Sequence, residues 1–334
     1  MARPGSRNLI TDVDGIKVGS AEDHDARSGV TVVLPDARTT CAVDVRGGAP
    51  GTRETEALDP TCLVDAVDAV VLSGGSAFGL DAASGVMSWL AQAGRGFEVG
   101  GMTVPIVPAA ILFDLLNGGD KSWVAEPPYR ALGHRAAQNA CESFDLGNAG
   151  AGLGASAGTL KGGLGSASAV SNDGLQVAAL VAVNCVGSAV IPDTGTLWAW
   201  PFEQQREMGG QKPPTFDGDL ALAEAMPGLP GENTTIGVVA CNARLSKAQA
   251  ERVAIMTHDG YARAIRPVHT PFDGDTVFSL ATATWGPDAV ESDLVMRIGG
   301  LAADCMTRAV GRAIWHAESL GDLKSYRDTH AGAD

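Results

Sequence analysis

The stretch Gly231-Glu232-Asn233-Thr234-Thr235-Ile236-Gly237-Val238-Val239-Ala240 decides how the rest of this chain is read. A polar, turn-like run breaks directly into β-branched and apolar residues, which predicts a strand beginning at the two threonines. Two readings of that junction are open. In one, Thr234 and Thr235 simply start a buried strand. In the other, the chain cuts itself at this junction and exposes a new amino-terminal threonine. A mid-chain threonine has a hydroxyl but no base of its own. An amino-terminal one carries its base with it, because a free α-amine has a reference pKa of about 7.7–8.0. That lies near working pH, where general-base catalysis is most efficient, and threonine with its own amine is a known activated nucleophile.

Working outward, residues 202–232 are polar and rich in Pro and Gly, and read as an exposed connector. Beyond the Thr234 strand a helix is expected, with Ser246 as its cap and Gln249 three residues on, a capping-box spacing. Thr276 to Thr284 reads as a strand. Leu294, Ile298, Leu301 and Cys305 mark one apolar face of a long helix. Upstream, strands are expected at Ile16-Lys17-Val18, at Val30 to Leu34, at Cys41 to Val45 and at Asp68 to Leu72. The last runs into Ser73-Gly74-Gly75-Ser76-Ala77-Phe78-Gly79, with a helix from about Leu80 to Ala93. An apolar stretch, Val104 to Leu116, is broken by Pro105 and Pro108. A Gly, Ala and Ser segment fills 147–168, and Val177 to Val186 is a strong strand holding Asn184. The elements do not alternate as βαβ, so α+β is favoured over a doubly wound sheet.

The chain has 334 residues, 45% of them hydrophobic and 19% charged, which is a globular composition. A formal charge of -15 argues against nucleic-acid and anionic-membrane partners. No apolar run approaches membrane-span length, and no signal peptide is expected, so the reading is soluble and cytoplasmic. Six cysteines without a CxxC pair are expected to be free thiols in a reducing compartment.

Motif by motif, Gly150-x-Gly152-x-Gly154 is not a dinucleotide fingerprint, Ser76 fails the nucleophile-elbow pattern because Phe78 stands where Gly is needed, and HExxH is absent. Neither a cofactor nor a metal is expected. His269 near Asp273 is the one histidine pair to watch, against the plainer reading of a surface or capping histidine. Asp273-Gly274-Asp275 places two carboxylates on one side of an extended segment, where like charges raise one pKa; it is also an ordinary turn. Asn184, inside an apolar strand, either ties strands together or aims its amide into a cleft as an oxyanion donor. Lys161 either polarises a carbonyl or is a solvated lysine.

Several of these pieces together resemble one family. They are Ile10-Thr11-Asp12-Val13-Asp14-Gly15-Ile16-Lys17-Val18-Gly19, Asp44-Val45-Arg46-Gly47-Gly48-Ala49-Pro50-Gly51-Thr52, Leu72-Ser73-Gly74-Gly75-Ser76-Ala77-Phe78-Gly79-Leu80 and Asn233-Thr234-Thr235-Ile236. The set resembles the DmpA-like aminopeptidases and D-esterases, which include the NylC-type nylon-oligomer hydrolases, from about residue 9 to about 318. The resemblance implies a four-layer αββα sandwich in one domain, 1–334, cleaved into an α chain, 1–233, and a β chain, 234–334, that stay together in a homo-oligomer. It implies Thr234 as nucleophile, Asp273 and Asp275 as its carboxylate pair, Asn184 as oxyanion support and Lys161 as a lysine near the site. Phe113 and Ser76 are implied at the substrate pocket; Phe113 stands where relatives carry Tyr and offers no phenol. The implied substrate is a short peptide or a 6-aminohexanoate oligomer. Alternatives are an acyltransferase resembling the ornithine acetyltransferases, and an uncleaved binding protein.

Overall fold

The apolar, β-branched runs become strands, and the main ones sort into two sheets, beside two short two-stranded ribbons. In chain order the main elements are β1 (Ile16–Asp23), β2 (Ser28–Pro35), β3 (Thr40–Val45), β4 (Val70–Ser73), α1 (Ala82–Gln92), β5 (Ala109–Ile111), α2 (Tyr129–Gln138), β6 (Gly163–Ser171), β7 (Gln176–Asn184), β8 (Thr234–Ala243), α3 (Lys247–Ala264), β9 (Thr276–Trp285) and α4 (Ser292–His316). The structure, a computed structural model, describes residues 2–123, 125–215, 233–287 and 289–330.

One sheet runs β1-β2-β4-β5 and ends on the short strand Thr52–Arg53; the other runs from the short strand Ala2–Arg3 through β6-β7-β8-β9 to β3. The two sheets face each other across one core, where Val18, Val33 and Leu72 meet Leu180, Ile236, Val238 and Phe278. On the outside of the first sheet, Val30, Val32 and Val71 pack against Val86 and Leu90 of α1 and Leu132 and Ala136 of α2. On the outside of the second, Val177, Val181, Val239 and Val277 pack against Val253 and Tyr261 of α3 and Ile298, Cys305 and Met306 of α4. The order of layers is therefore α, β, β, α, as the resemblance implied. Because both faces of β8 are covered, every residue of this strand is buried, and its middle, from Ile236 to Cys241, reads as a near-continuous apolar run rather than alternating. Gly237 interrupts that run for a steric reason: a Cβ there would lie 2.5 Å from the Tyr261 hydroxyl, so glycine lets α3 close onto the strand.

β8 and β9 are parallel and joined through α3. This is one of two βαβ crossovers, the parallel pair β4 and β5 being joined through α1, in a chain whose element order argued against that unit; two crossovers, one in each sheet, leave too little alternation to register. The capping box at Ser246 forms, with the Gln249 amide hydrogen donated to the Ser246 hydroxyl and the Ser246 amide hydrogen to Gln249 Oε1 at 2.9 Å. In α4, Ile298 and Cys305 are fully buried, while Leu294 and Leu301 pack at the edge of the core.

The connector reading of 202–232 needs correcting over its described part. Residues 216–232 lie outside the described residues. Before them, Met208 is fully buried and Glu207 is clamped by α4. Arg308 donates from Nε and Nη2 to the two Glu207 oxygens at 2.6 and 2.8 Å, from Nη1 to Ser168 O at 2.7 Å and from Nη2 to Asn8 Oδ1 at 2.8 Å. Arg308 is 1% exposed, so its charge depends on Glu207. Removing one partner of a buried ion pair typically costs about 3–5 kcal/mol. Glu207→Ala is expected to lose stability of that order in urea unfolding, while Glu207→Gln, which keeps an acceptor oxygen, loses less; equal losses would show that the retained acceptor contributes nothing and that the carboxylate charge carries the whole effect.

Candidate active site

The site forms where β8 begins. β7 and β8 pair antiparallel, with Asn184 directly opposite Thr234 and Val183 opposite Thr235. Directly opposed residues send their side chains to the same face, so Asn184 stands beside Thr234. On the other side of β8 the chain approaching β9 bridges Asn233 to Asp273. Thr234 is therefore held between the strand carrying Asn184 and the Asp273-Gly274-Asp275 segment.

The peptide group between Asn233 and Thr234 is held by specific bonds. Thr234 Oγ1 donates to the Asn233 carbonyl oxygen at 2.5 Å. The Gly274 N–H donates to the same oxygen at 3.1 Å. A Cβ on residue 274 would lie 2.8 Å from Thr234 Oγ1 and from Ala49 O, so glycine is what allows this approach. The Arg46-Gly47-Gly48-Ala49 segment grips the acidic turn from outside: Arg46 N–H donates to Asp275 O at 2.9 Å and Ala49 N–H to Asp273 O at 2.8 Å.

The two carboxylates have separate partners. Asp273 accepts from the Thr270 hydroxyl at 2.6 Å, from Thr270 N–H at 3.0 Å and from Val186 N–H at 3.3 Å. Asp275 accepts from Thr235 N–H at 2.8 Å and from both the backbone N–H and Nδ1 of His269, at 3.0 and 2.8 Å. His269 thus pairs with Asp275, not with the Asp273 expected from the sequence. Burial, and then the charge of Asp275, raise the Asp273 carboxyl above the usual carboxylate range.

Asn184 is oriented by its neighbours. Its Oδ1 accepts from Ser156 N–H at 2.9 Å, and its Nδ2 donates to the Phe113 carbonyl at 3.0 Å. Phe113 and Asn184 both line a pocket of about 470 Å³, together with Asp114, Leu116, Asn233 and Asp322. Ser76 is not among the residues lining this pocket. Its segment serves Asp114 instead: Gly75 N–H donates to Asp114 Oδ1 at 2.7 Å, and the Ser28 hydroxyl donates to Oδ2 at 2.7 Å. Burial raises the Asp114 carboxyl.

Lys161 is not a solvated lysine. It is fully buried, and its ammonium donates to Gly152 O at 2.9 Å and Gly162 O at 2.8 Å. Burial depresses it from 10.5 to about 7, against a smaller opposing pull from Asp114. Between those values the unfolded chain binds a proton that the fold does not, so this group makes stability rise with pH from about 7 to 10.5 and leaves it flat below 7. Wild type is expected to gain stability over Lys161→Met as pH rises through that window, measured by thermal unfolding; a pH-independent gap would contradict the burial effect.

Sequence reasoning missed the Gly274 N–H, Ser156 and the pairing of His269 with Asp275. Gly274 was flanked by two selected residues, yet a backbone donor has no residue-type signal. Among the described residues, no group of three or more His, Cys, Asp or Glu is placed to hold a metal ion. None of the described helices is long and apolar enough to cross a membrane.

Comparisons with known proteins identify the family and the fold. The profile of peptidase family S58 matches residues 8–327. An uncharacterised aminopeptidase of Mycobacterium tuberculosis is 46% identical, with 98% of this chain and 99% of the relative aligned. A 6-aminohexanoate-oligomer endohydrolase of a Kocuria species is 32% identical over 83% of this chain and 76% of the relative. Among solved structures, the L-aminopeptidase D-Ala-esterase/amidase of Ochrobactrum anthropi, described as a variant of the Ntn hydrolase fold, superposes with a TM-score of 0.73 at 22% identity, covering 96% of this chain and 89% of that one. A β-aminopeptidase of a Burkholderia species gives 0.69 at 20% identity, covering 100% and 97%. The fold is thus that of the Ntn hydrolases, and the chain belongs to peptidase family S58, a family of peptidases and amidohydrolases.

Proposed function

We propose that this enzyme is a self-processing amide hydrolase whose nucleophile is Thr234, released as a new amino terminus by cleavage after Asn233. The observation that carries this reading is the placement of the Thr234 hydroxyl on the Asn233 carbonyl, with the Gly274 N–H donating to the same oxygen. In the self-cleavage step Thr234 Oγ bonds to the Asn233 carbonyl carbon, the oxygen takes up negative charge beside Gly274 N–H, and the Asn233–Thr234 C–N bond breaks. The nitrogen gains the proton that Oγ loses, leaving an ester. Water then hydrolyses the ester to an Asn233 carboxylate and a Thr234 with a free α-amine.

Turnover repeats the chemistry on an external amide. Thr234 Oγ attacks while its own amine takes the proton. Asn184, fixed by Ser156 and Phe113 and directly across the strand pair, supports the oxyanion. Asp273 and Asp275 orient the amine and set its basicity, and Lys161 assists electrostatically from its buried position. The Glu207–Arg308 pair, one partner on each side of the cut, keeps residues 1–233 and 234–334 together as one domain after cleavage. Localisation in the cytoplasm and assembly into a homo-oligomer belong to the same reading.

The substrate is a short peptide or a linear amide oligomer such as a 6-aminohexanoate oligomer. The pocket mixes Phe113, Leu116, Leu320 and Leu323 with the carboxylates of Asp114 and Asp322, and among the described residues no basic side chain lines it, which suits an apolar chain carrying an amine. The names of the two relatives, an aminopeptidase and an oligomer endohydrolase, fit that chemistry. An amide oligomer supplied with and without an amine acceptor tests the reading against acyl transfer. Hydrolysis yields equal amounts of new amine and carboxylate whether or not the acceptor is present. Capture of most of the acyl group by the acceptor would make the protein a transferase.

A further inference from the structure

We propose that His269 is a positioning residue for the reaction: it holds the Asp275 carboxylate in the one orientation that serves the start of β8. This rests on the reading of Thr234 as nucleophile. Asp275 has two oxygens with different tasks. Oδ1 accepts from Thr235 N–H at 2.8 Å, on the residue next to the nucleophile. Oδ2 accepts twice from one residue, from His269 N–H at 3.0 Å and from His269 Nδ1 at 2.8 Å. A carboxylate accepts, so Nδ1 carries the proton. Asp275 is 1% exposed, and its rotamer is set by these donors without competition from bulk water. His269 makes no bond to Thr234 and does not line the pocket, so it acts through Asp275.

Two further features single this residue out. His269 adopts φ 56°, a left-handed backbone conformation that a side chain tolerates poorly unless it bonds locally, and here both of its donors converge on one oxygen. Behind it lies the ring of His258, edge-on at 4.8 Å between centroids, with Nε2 at 3.0 Å from the Asp44 carbonyl. His258 is 5% exposed and walls off the inner side of His269, so the imidazole has little freedom to turn away from Asp275.

Replacement by other side chains separates positioning from packing. Asparagine tolerates a left-handed backbone and places its amide nitrogen near the position of Nδ1; glutamine carries its amide one bond further out, nearer Nε2. Losing a hydrogen bond to a charged group typically removes about 1.5–3 kcal/mol, which corresponds to roughly ten- to hundredfold in rate. His269→Ala is therefore expected to lower kcat by about ten- to hundredfold with KM changed by less than about threefold. His269→Asn restores kcat to within about threefold of wild type, and His269→Gln does not.

All variants are assayed after electrophoresis has established the extent of chain cleavage, with wild type and Thr234→Ala alongside. An uncleaved but active wild type would remove the nucleophile reading itself. With wild type cleaved, the inference about His269 is overturned alone by any of three results: normal kcat in His269→Ala, no rescue in His269→Asn, or equal rescue in His269→Gln. If His269→Ala does not fold, the contrast between the asparagine and glutamine variants decides.

Discussion

Thr234→Ala is expected to remain one continuous chain of 334 residues and to lose amide hydrolysis by about a thousandfold or more. The methyl of alanine leaves nothing to attack the Asn233 carbonyl, so neither the ester nor the free amine forms. The effect is therefore twofold, on processing and on turnover, and both trace to one oxygen atom. Alanine fits without a clash, and losing the buried methyl and hydroxyl of Thr234 is expected to cost about 1–2 kcal/mol of stability. Thr234→Ser is the matching control. It keeps Oγ and, once cleaved, the amine, so it is expected to process and to turn over. Two bands on denaturing electrophoresis of Thr234→Ala would place the cut or its nucleophile elsewhere.

Asn184→Ala is expected to slow turnover by about 10²–10³-fold, the usual cost of removing one preorganised oxyanion donor. The side chain is fixed at both ends, by Ser156 N–H on its oxygen and by Phe113 O on its nitrogen, so it meets the developing charge without reorganising. The loss is expected in kcat more than in KM, since the donor is needed most where the carbonyl oxygen becomes charged. Self-cleavage is expected to be affected less than turnover, because the Asn233 carbonyl has its own donor in Gly274 N–H. Chain cleavage followed over time by electrophoresis, with steady-state kinetics on the cleaved variant, measures the two separately. Normal turnover would remove Asn184 from the scheme.

Much of the architecture was legible in local pattern. The strand at Thr234, the capping box at Ser246 and the long α4 follow from side-chain type and spacing, which act over a few residues. Three features were not legible because they depend on backbone carbonyls, a remote partner or a loop conformation, none of which residue type and spacing report. The burial of Lys161 follows from the carbonyls of Gly152 and Gly162, which a charge-pattern reading treats only as glycine. The docking of residues 203–211 needs Arg308, a hundred positions away in a helix that looks like ordinary core. The pairing of His269 with Asp275 instead of Asp273 depends on a positive φ at His269 in an irregular loop. The Ser73-Gly74-Gly75-Ser76 segment was visible as a motif, yet its work is done by Gly75 N–H on Asp114 and not by the serine hydroxyl that drew notice.

Among the site residues, proximity was partly readable. Asn184 and Thr234 are fifty positions apart, and only the β7–β8 register sets them opposite each other. The acidic turn could be seen as a pair of carboxylates, but the grip of Arg46 and Ala49 on its backbone needed the close approach of a second glycine-rich segment. That approach gives the Arg46-Gly47-Gly48 stretch its steric reason: a Cβ on residue 47 would lie 2.3 Å from the Asp273 carbonyl oxygen.

The central claim is tested most directly by intact-mass spectrometry of purified, active protein. The account predicts two components in equal amount, one ending in the carboxylate of Asn233 and one beginning with the unblocked amine of Thr234. Full activity from a single unbroken chain, or a new terminus at any other residue, would contradict it.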